Sequence, residues 1–472
     1  MGIILKLCDD EDSTHNSVDF DLCFRFLGMH SSEEASLIVI VLAMSMLVLT
    51  IILIVIMTIS KMKEPKTVVR STGQTPKLEL PEGCHYHVFL SHVWSTGQAK
   101  THAIVRKMQL LLPGLKVWLD VDNLHNLSKL ESSVEDSAVF LLYYSKSYFQ
   151  SKNCRREIYA ALQLNKPMLL LYEDDKATIE DLKRECLECC SLTNDDKSPG
   201  PSVILGKLLG EDLSIETGSR SNPPILWINE NEYSQASLNL IYDCILRHLP
   251  YYESNPKELE KGIAVPGEIK PMHLQSQTDV IVYEENRGCM EVANELQTTL
   301  GGSSSMMMIH QASEYLSSLQ SSVDDDEDAD VDVSTMDQHA AYLLFYLNKD
   351  TFTGDREQKS RLTTMLKQCL DNPRIEIILI HEKDECKGAC DFGRFIEEAP
   401  KQLLLGDPYN LFEEIAIPLH FVEEYRNVAW QQILRKMGAT SSIEGWTSLK
   451  PSKSFQSLRR FFGLSNKLRS TK

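Results

Sequence analysis

The sequence lacks the glycine-rich phosphate loops of the common nucleotide-binding folds. No G-x-G-x-x-G opens a helix after an apolar strand, and no Walker loop is present, so the standard dinucleotide and nucleoside-triphosphate sites lose their main support. Basic charge is also scarce, because 48 Lys and Arg face 67 Asp and Glu, a formal net charge of -19. Nucleic-acid binding needs a basic surface, which excludes nucleic acid as the main partner.

Zinc-finger spacing is missing among the twelve cysteines. Two groups lie close in sequence, "CLECC" (Cys186, Cys189, Cys190) and "CKGAC" (Cys386, Cys390). Neither has a further His or Cys nearby at the spacing of metal ligands. We therefore predict no metal site and interpret the cysteines as thiols of a reducing compartment.

Charge is absent from one long apolar run, Leu37–Ile59, with the sequence "LIVIVLAMSMLVLTIILIVIMTI". As an α-helix it would be about 35 Å long, enough to cross a hydrocarbon core of about 30 Å. The run is too long for the apolar part of a signal peptide. The flanking charges are Glu33 and Glu34 before it and Lys61, Lys63, Lys66 and Arg70 after it. The positive-inside rule then predicts a single-pass anchor with the C-terminal part in the cytosol.

Short apolar strands alternate with helical patterns between residues 84 and 250. "AVFLLYYS" and "PMLLLYE" are apolar on both faces, as is typical of parallel strands covered by helices on both sides. The pattern predicts an α/β domain with a flavodoxin-like parallel sheet. With strand order 2-1-3-4-5, ligands bind at the switch point between strands one and three. Ser91 and His92 end strand one, and Tyr144 and Ser145 end strand three.

This segment resembles a Toll/interleukin-1 receptor (TIR) domain. The resemblance rests on "VFLSH", then "VWLDVDNL", then the spacing S-x-x-Y-x-x-S-x-x-C-x-x-E, in this order. It covers residues 86 to about 175 closely and continues more loosely to 250. The loop after "VWLD" departs from the family because it lacks the Gly that such loops usually carry. That loop commonly mediates contact between TIR domains.

The resemblance implies two kinds of function. Many TIR domains recruit other TIR domains, and we expect TIR–TIR association, with a homo-oligomer, as the main function. Some TIR domains, once assembled, cleave the nicotinamide–ribose bond of NAD and need one Glu in the helix after the third strand. In this sequence that residue is Glu157, three positions after Cys154. NAD is therefore a possible substrate, and no cofactor is expected.

A carboxylate at position 157 suits glycosidic cleavage, because it can stabilise an oxocarbenium-like transition state. The candidate substrate-binding residues are Ser91, His92, Trp94, Tyr144 and Ser145. Trp118 is a weaker stacking candidate that we expect in the core. The alternative interpretation is structural: a Glu early in a helix favours the macrodipole, and Arg155 and Arg156 would neutralise it.

A second, degenerate copy of the pattern follows. "AAYLLFYLNKDTFTGDREQKSRLTTMLKQCL" parallels "AVFLLYYSKSYFQSKNCRREIYAAL" with one or two inserted residues. In this copy the position of Glu157 falls on Ser360 or Arg361, and the position of Ser91 falls near Glu284 or Glu285. We therefore expect a non-catalytic TIR-like domain. We interpret its acidic run, Asp324–Asp332, as a loop, with calcium binding as a weaker alternative.

The C-terminal tail interleaves apolar residues with cations. The apolar residues are Phe455, Leu458, Phe461, Phe462 and Leu468. On one helical face they would suit the anionic inner leaflet or calmodulin, and a tail without fixed structure is the alternative.

Together these patterns predict seven segments. They are an acidic extracytosolic segment at 1–34, a transmembrane helix at 35–60, a linker at 61–83, a TIR-like domain at 84–250, a linker at 251–277, a degenerate TIR-like domain at 278–440 and a basic tail at 441–472.

Overall fold

Most of the two predicted α/β domains is described by the structure, a computed structural model. The described residues are 32–62, 65–119, 130–173, 176–190, 199–210, 222–324, 341–404 and 409–441. Four segments with sequence predictions lie outside them: the acidic N-terminal segment up to residue 31, the loop after "VWLD", the acidic run from residue 325 and the basic tail from residue 442.

The chain divides into two compact units, Met1–Pro65 and Lys66–Lys472. The described part of the first unit is helix α1, Ser32–Met62, which contains the whole uncharged run Leu37–Ile59. A search of the described residues found no helix with the length and hydropathy needed to cross a membrane. The spanning role of Leu37–Ile59 stays a prediction.

The second unit begins with a five-stranded parallel sheet in the order β3-β2-β4-β5-β6. Its strands are β1 (Val68–Val69, outside the sheet), β2 (Tyr86–Ser91), β3 (Val117–Trp118), β4 (Ser137–Tyr144), β5 (Met168–Tyr172) and β6 (Ile225–Leu226). All eight residues of β4 are buried, as expected for a central strand covered on both faces. The order is the flavodoxin-like 2-1-3-4-5 that the sequence predicts.

Helices cover both faces of this sheet. They are α2 (Trp94–Leu111), α3 (Leu130–Glu135), α4 (Lys152–Gln163), α5 (Ile179–Cys190), α6 (Pro201–Leu209) and α7 (Asn231–Arg247). One apolar core joins α2 and α7 to the sheet through residues such as Met108 and Ile241. The other joins α4, α5 and α6 through Ile158, Leu182 and Ile204. Neither α5 nor α6 is predicted by the sequence patterns above.

A connecting segment follows, with α8 (Pro250–Ser254), β7 (Ile263–Ala264) and β8 (Met272–His273). The sequence predicts a linker here, and the structure gives it a defined course. Its Leu259 and Ile263 are buried in the core of the first domain.

The second domain repeats the topology in a five-stranded parallel sheet, β10-β9-β11-β12-β13. Its elements are β9 (Thr278–Val282), α9 (Cys289–Thr299), β10 (Met307–Gln311), α10 (Ala312–Asp324), β11 (Ala341–Leu347), α11 (Arg356–Asp371), β12 (Ile375–Glu382), α12 (Phe392–Glu398), β13 (Ile417–Leu419), α13 (Glu423–Lys436) and β14 (Thr440–Ser441). The chain thus holds two tandem flavodoxin-like domains. Strand β10 and helix α10 are not predicted by the sequence patterns above.

Each domain is closed by a two-stranded antiparallel clasp between the segments that enter and leave it. In the first domain β1 pairs with β7, so that Val69 lies opposite Ile263. In the second domain β8 pairs with β14, so that His273 lies opposite Thr440. We call these the first clasp and the second clasp.

Candidate functional site at the carboxyl edge of the first sheet

Helix α4 begins at a defined cap. The Ser151 side chain is the N-cap and accepts a hydrogen bond from the backbone N–H of Cys154, at 3.3 Å. Cys154 and Glu157, three residues apart, share the helix face that is buried toward the sheet. The helix therefore carries a carboxylate into the protein, where Glu157 keeps only 5% of its surface exposed.

Strand alternation brings Ser91 to this carboxylate. In β2, Val88 and Leu90 belong to the core under α2, so Phe89 and Ser91 point to the opposite face. The Ser91 hydroxyl lies at the end of the strand and donates to Glu157 Oε2 at 2.5 Å. The predicted meeting of strand one and the helix after strand three therefore occurs at the switch point.

Tyr148 completes a buried chain of hydroxyls. Its Oη lies 2.5 Å from Ser91 Oγ, and its side chain is fully buried. Burial raises the pKa of Tyr148 well above its usual value, so the phenol keeps its proton. Because Ser91 gives its single proton to Glu157, Tyr148 donates to Ser91. Sequence reasoning did not select Tyr148, although it occupies the Tyr position of S-x-x-Y-x-x-S-x-x-C-x-x-E.

The two arginines beside Glu157 have partners of their own. Arg156 forms a bidentate pair with Glu131 of α3, at 2.8 and 2.9 Å. Arg155 donates to the backbone carbonyl of Phe149. These contacts weaken the structural interpretation in which the arginines serve to neutralise Glu157.

His92 extends the site beyond Ser91. Its backbone carbonyl accepts a hydrogen bond from the Cys154 thiol, at 3.4 Å, which ties the end of β2 to α4. Burial lowers the pKa of His92 to about 4, so the ring is neutral at physiological pH. The buried Nε2 has no hydrogen-bond partner within the described part of the chain. A neutral ring nitrogen next to Ser91 can serve a polar group of a ligand.

The other candidate residues lie in different surroundings. Trp94 starts α2 and is 42% exposed. Ser145 Oγ lies 2.8 Å from the Thr96 hydroxyl. Trp118 is buried and stacks on Phe89 at 4.3 Å between ring centroids, in the core as expected.

Tyr144 contacts a carboxylate other than Glu157. Its hydroxyl donates to Glu185 of α5 at 3.0 Å. Glu185 also accepts the backbone N–H groups of Ser147 and Phe149, at 3.2 and 2.9 Å. A polar pocket of about 280 Å³ opens here, lined by residues that include Tyr144 and Glu185. Tyr144 and Glu185 thus fix the turn that leads into α4.

A second buried carboxylate lies at the same edge, on the opposite face of the sheet. Glu173, directly after β5, accepts from the Tyr143 hydroxyl at 2.7 Å and pairs with Lys100 and Lys176 at 2.5 and 2.6 Å. These donors hold its pKa below the usual value although burial acts in the other direction. Sequence reasoning missed this group, whose signal is an acidic residue that directly follows a buried parallel strand.

The second domain carries different residues at the matching place. Its helix α11 has Asp355 as N-cap, and the sixth helical residue, which Glu157 is in α4, is Arg361. Arg361 pairs with Glu285, just beyond the end of β9, at 2.8 Å. The pair is partly exposed, with 47% and 37% of the two side-chain surfaces accessible. The helix position therefore supports Arg361 over Ser360 as the counterpart of Glu157.

Comparison with known protein families gives a match to part of the first domain. Residues 88–200 match the family model of the TIR domain. The matched range includes Ser91, Tyr148 and Glu157 and ends before β6 and the second domain. No curated protein matches the chain. The family match therefore identifies a TIR domain within the first of the two flavodoxin-like domains.

Proposed function

We propose that this protein is a membrane-anchored signalling protein that acts through association of its TIR domains in the cytosol. The observation that carries the proposal is the TIR match over residues 88–200. TIR domains act in signalling and in contact with other TIR domains, and a second copy of this chain is the simplest partner.

The membrane part of the proposal rests on α1. Its run Leu37–Ile59 holds no charge, and the described large apolar side chains of the run are 45% to 63% exposed. An apolar surface on all sides of a helix is stable in lipid and unfavourable in water. The cations after the run favour the orientation with the α/β domains in the cytosol.

Membrane extraction tests the anchor. We expect the full chain to stay with membranes after washing at alkaline pH. The double variant Leu47→Arg, Leu49→Arg should be released, since two charges at the centre of the run oppose insertion. A double substitution to Ala is the matched control and should stay with the membrane. Release of the unchanged chain would reject the anchor.

Co-purification of two differently tagged full chains from the same cells, after cross-linking in the membrane, tests association. We expect recovery of the second tag, and more recovery when the chains are clustered by an antibody. Monomers alone, with and without clustering, would reject association between copies.

A second function, cleavage of NAD to nicotinamide and ADP-ribose, is favoured by one observation. Glu157 is buried at the switch point and contacts Ser91 at 2.5 Å, whereas the second domain holds Arg361 at the same helix position. The fold therefore does not require a carboxylate there. A buried carboxylate at the switch point of a parallel sheet is a candidate catalytic group.

The chemistry follows from this placement. The bond from the nicotinamide nitrogen to the ribose breaks and its electron pair leaves with nicotinamide. Water then adds to the ribose carbon and releases one proton to the solvent. Glu157 would stabilise the oxocarbenium-like transition state and hold the ribose hydroxyls. The chain Tyr148–Ser91–Glu157 would keep the carboxylate oriented.

Release of free nicotinamide from NAD by the purified full chain, dilute and clustered, tests this function. We expect release on clustering and its loss in Glu157→Gln, which keeps the side-chain volume. Arg361→Gln is the matched control at the same helix position and should leave release unchanged. An unchanged rate in Glu157→Gln, or no release under any clustering condition, would reject NAD cleavage.

A further inference from the structure

The two α/β domains meet through a reciprocal pair of tyrosines. The Tyr233 hydroxyl, at the start of α7, donates to the carbonyl of Pro418 in β13, at 3.0 Å. The Tyr425 hydroxyl, at the start of α13, donates to the carbonyl of Leu226 in β6, at 2.5 Å. Each tyrosine thus comes from one domain and contacts the last strand of the other.

The two contacts are equivalent in sequence as well as in space. Tyr233 follows Leu226 by seven residues, and Tyr425 follows Pro418 by seven residues. Both tyrosines are fully buried, and both lie in the first turn of the helix after the last strand of their sheet. A contact in which each side presents the same residue to the same partner atom is characteristic of a two-fold interface.

Further contacts extend this tyrosine-exchange interface, which we define as β6 and α7 of the first domain against β13 and α13 of the second. Val428 of α13 is buried in the core cluster of the first domain. The His420 ring packs between the two tyrosines, 5.6 and 5.9 Å from their ring centroids. At the rim, Arg435 pairs with Glu232 at 2.6 Å.

The interface uses the edge of the first sheet. Strand β6 is an edge strand, and edge strands are where sheets take up partners. The second domain covers this strand and part of the neighbouring α7, so neither is open to another chain. The opposite edge, at β3, lies on the far side of the sheet from this contact.

We propose that the β6–α7 face of the TIR domain is a pairing surface for a second flavodoxin-like domain, and that the chain's own second domain occupies it. The second domain thereby limits association between TIR domains of different chains. This inference rests on the proposed function, since it concerns which partner the TIR domain takes. Opening the tyrosine-exchange interface exposes the face to a second copy of the chain.

The test changes the rim of the interface in the full chain. Arg435→Glu places two carboxylates together, because Glu232 remains opposite. Arg435 is half exposed and outside both cores, so each domain should still fold. Lys436→Glu is the matched control, because this neighbouring residue makes the same charge change but pairs with Glu414 inside the second domain. The double variant Glu232→Arg, Arg435→Glu restores the pair with its signs exchanged.

Hydrogen exchange of the α7 and α13 amides reports opening, and co-purification of two tagged copies reports association. We expect Arg435→Glu to increase both, with association rising about fivefold. Lys436→Glu should leave both unchanged, and the double variant should return both toward the original values. Tyr425→Phe, which loses the bond to Leu226, should act in the same direction.

Each other outcome overturns the inference in a recognisable way. Faster exchange with unchanged or reduced association means that the covered face does not take a second copy. Exchange that stays slow in both Arg435→Glu and Tyr425→Phe means that this interface does not hold the domains. Absence of association in the original chain and in every variant rejects the proposed function itself.

Discussion

The two flavodoxin-like domains share their strand order and differ at the carboxyl edge of the sheet, between the third strand and the next helix. Both have strand order 2-1-3-4-5 and both are closed by a clasp. Both bury a tyrosine–glutamate pair at the carboxyl edge, Tyr143 with Glu173 and Tyr346 with Glu382, at 2.7 and 2.8 Å. Features that recur in both domains are what this fold needs. Features found in one domain are where function is to be sought.

The difference lies between the third strand and the next helix. The first domain has a tyrosine, Tyr148, two hydrogen bonds away from Glu157. The corresponding turn of the second domain has Thr351, whose hydroxyl bonds the carbonyl of Tyr346 and the N–H of Asn348. The second domain thus uses a short side chain to close its own turn, whereas the first uses a long one to reach the candidate site.

The two turns are also held by different numbers of groups. In the first domain, Glu185 reaches the turn from α5 and accepts three donors. In the second domain, Thr351 closes the turn locally, and the side chains of Asn286 and Asn348 tie it to the loop after β9. A turn that depends on one carboxylate is more sensitive to loss of a single side chain.

The largest effect on stability is expected from removal of the Glu185 side chain, which tests this contrast between the two turns. Glu185→Ala leaves the N–H groups of Ser147 and Phe149 and the hydroxyl of Tyr144 without their acceptor, all in buried or part-buried surroundings. At 1–3 kcal/mol for each lost partner, we expect the first domain to lose about 4 kcal/mol of unfolding free energy. Urea unfolding of the full chain, with hydrogen exchange to separate the domains, measures this.

Two controls accompany that prediction. Glu188→Ala removes an exposed neighbour on the same helix and should change the unfolding free energy by less than about 0.5 kcal/mol. Thr351→Ala in the second domain should cost about 1 kcal/mol, since Asn286, Asn348 and the carbonyl of Gly388 still hold that turn. Equal losses for Glu185→Ala and Thr351→Ala would contradict the contrast between the turns.

Acid should affect the two domains alike. Burial lowers the pKa of His92 and of His381 from 6.5 to about 4. Between pH 6.5 and about pH 4 these histidines are protonated in the unfolded chain and neutral in the folded chain. The free energy of unfolding therefore falls as the pH is lowered through this window and levels off below it. Each histidine contributes up to about 3 kcal/mol to this loss.

Unfolding measured at intervals from pH 7 to pH 4 tests the acid prediction. His92→Gln should weaken the pH dependence of the first domain and leave that of the second unchanged, and His381→Gln should do the reverse. A remainder is expected in each domain, because burial also lowers the pKa of His87 and His248 in the first and of His420 in the second. A slope that neither substitution changes would contradict the roles of His92 and His381.

A smaller effect is expected at Tyr148. Tyr148→Phe removes the donor to Ser91 and keeps the ring, so the first domain should lose about 1 kcal/mol. If the chain of hydroxyls orients Glu157, the rate of nicotinamide release should fall by more than any loss of folded protein explains. The change should appear in kcat rather than in KM. Phe352→Leu in the second domain is a core control that should not alter release. Unchanged nicotinamide release by Tyr148→Phe would show that the Tyr148 hydroxyl has no role in the candidate site.

The smallest expected effect is at Arg361. Its pair with Glu285 is partly exposed, and such pairs contribute little to stability. Arg361→Gln should therefore lower the stability of the second domain only slightly, and less at high salt. A loss of stability as large as that from Glu185→Ala would show that Arg361 makes stabilising contacts beyond its exposed ion pair.

Much of the framework could be predicted because it depends on continuous apolar runs. β4 and β5 are apolar on both faces, which only a covered parallel sheet accommodates. The strand β10 could not, because "MMIHQ" lies at the edge of its sheet and four of its five residues are only partly buried or exposed. Edge strands need little apolar sequence, so periodicity is a weak signal there.

The candidate site was predictable where a strand end and a helix face determine it. The spacing from Cys154 to Glu157 and the alternation that turns Ser91 toward α4 are both visible in the sequence. The partner of Tyr144 was not, because Glu185 lies on a helix that the sequence analysis had not assigned. Tyr233 and Tyr425 could not be paired either, since a contact between domains leaves no periodic pattern in the sequence.

The first clasp gives the chain a mechanical property. The chain enters the second unit at Lys66, and Thr67 donates at once to the carbonyl of Leu111. Strand β1 begins at the next residue, Val68, and pairs with β7. The Arg70 guanidinium then donates two hydrogen bonds of 2.8 Å to the Glu268 carboxylate. A force applied to the chain at Lys66 would therefore meet two attachments within a few residues, one to the end of α2 and one to the segment that joins the two domains.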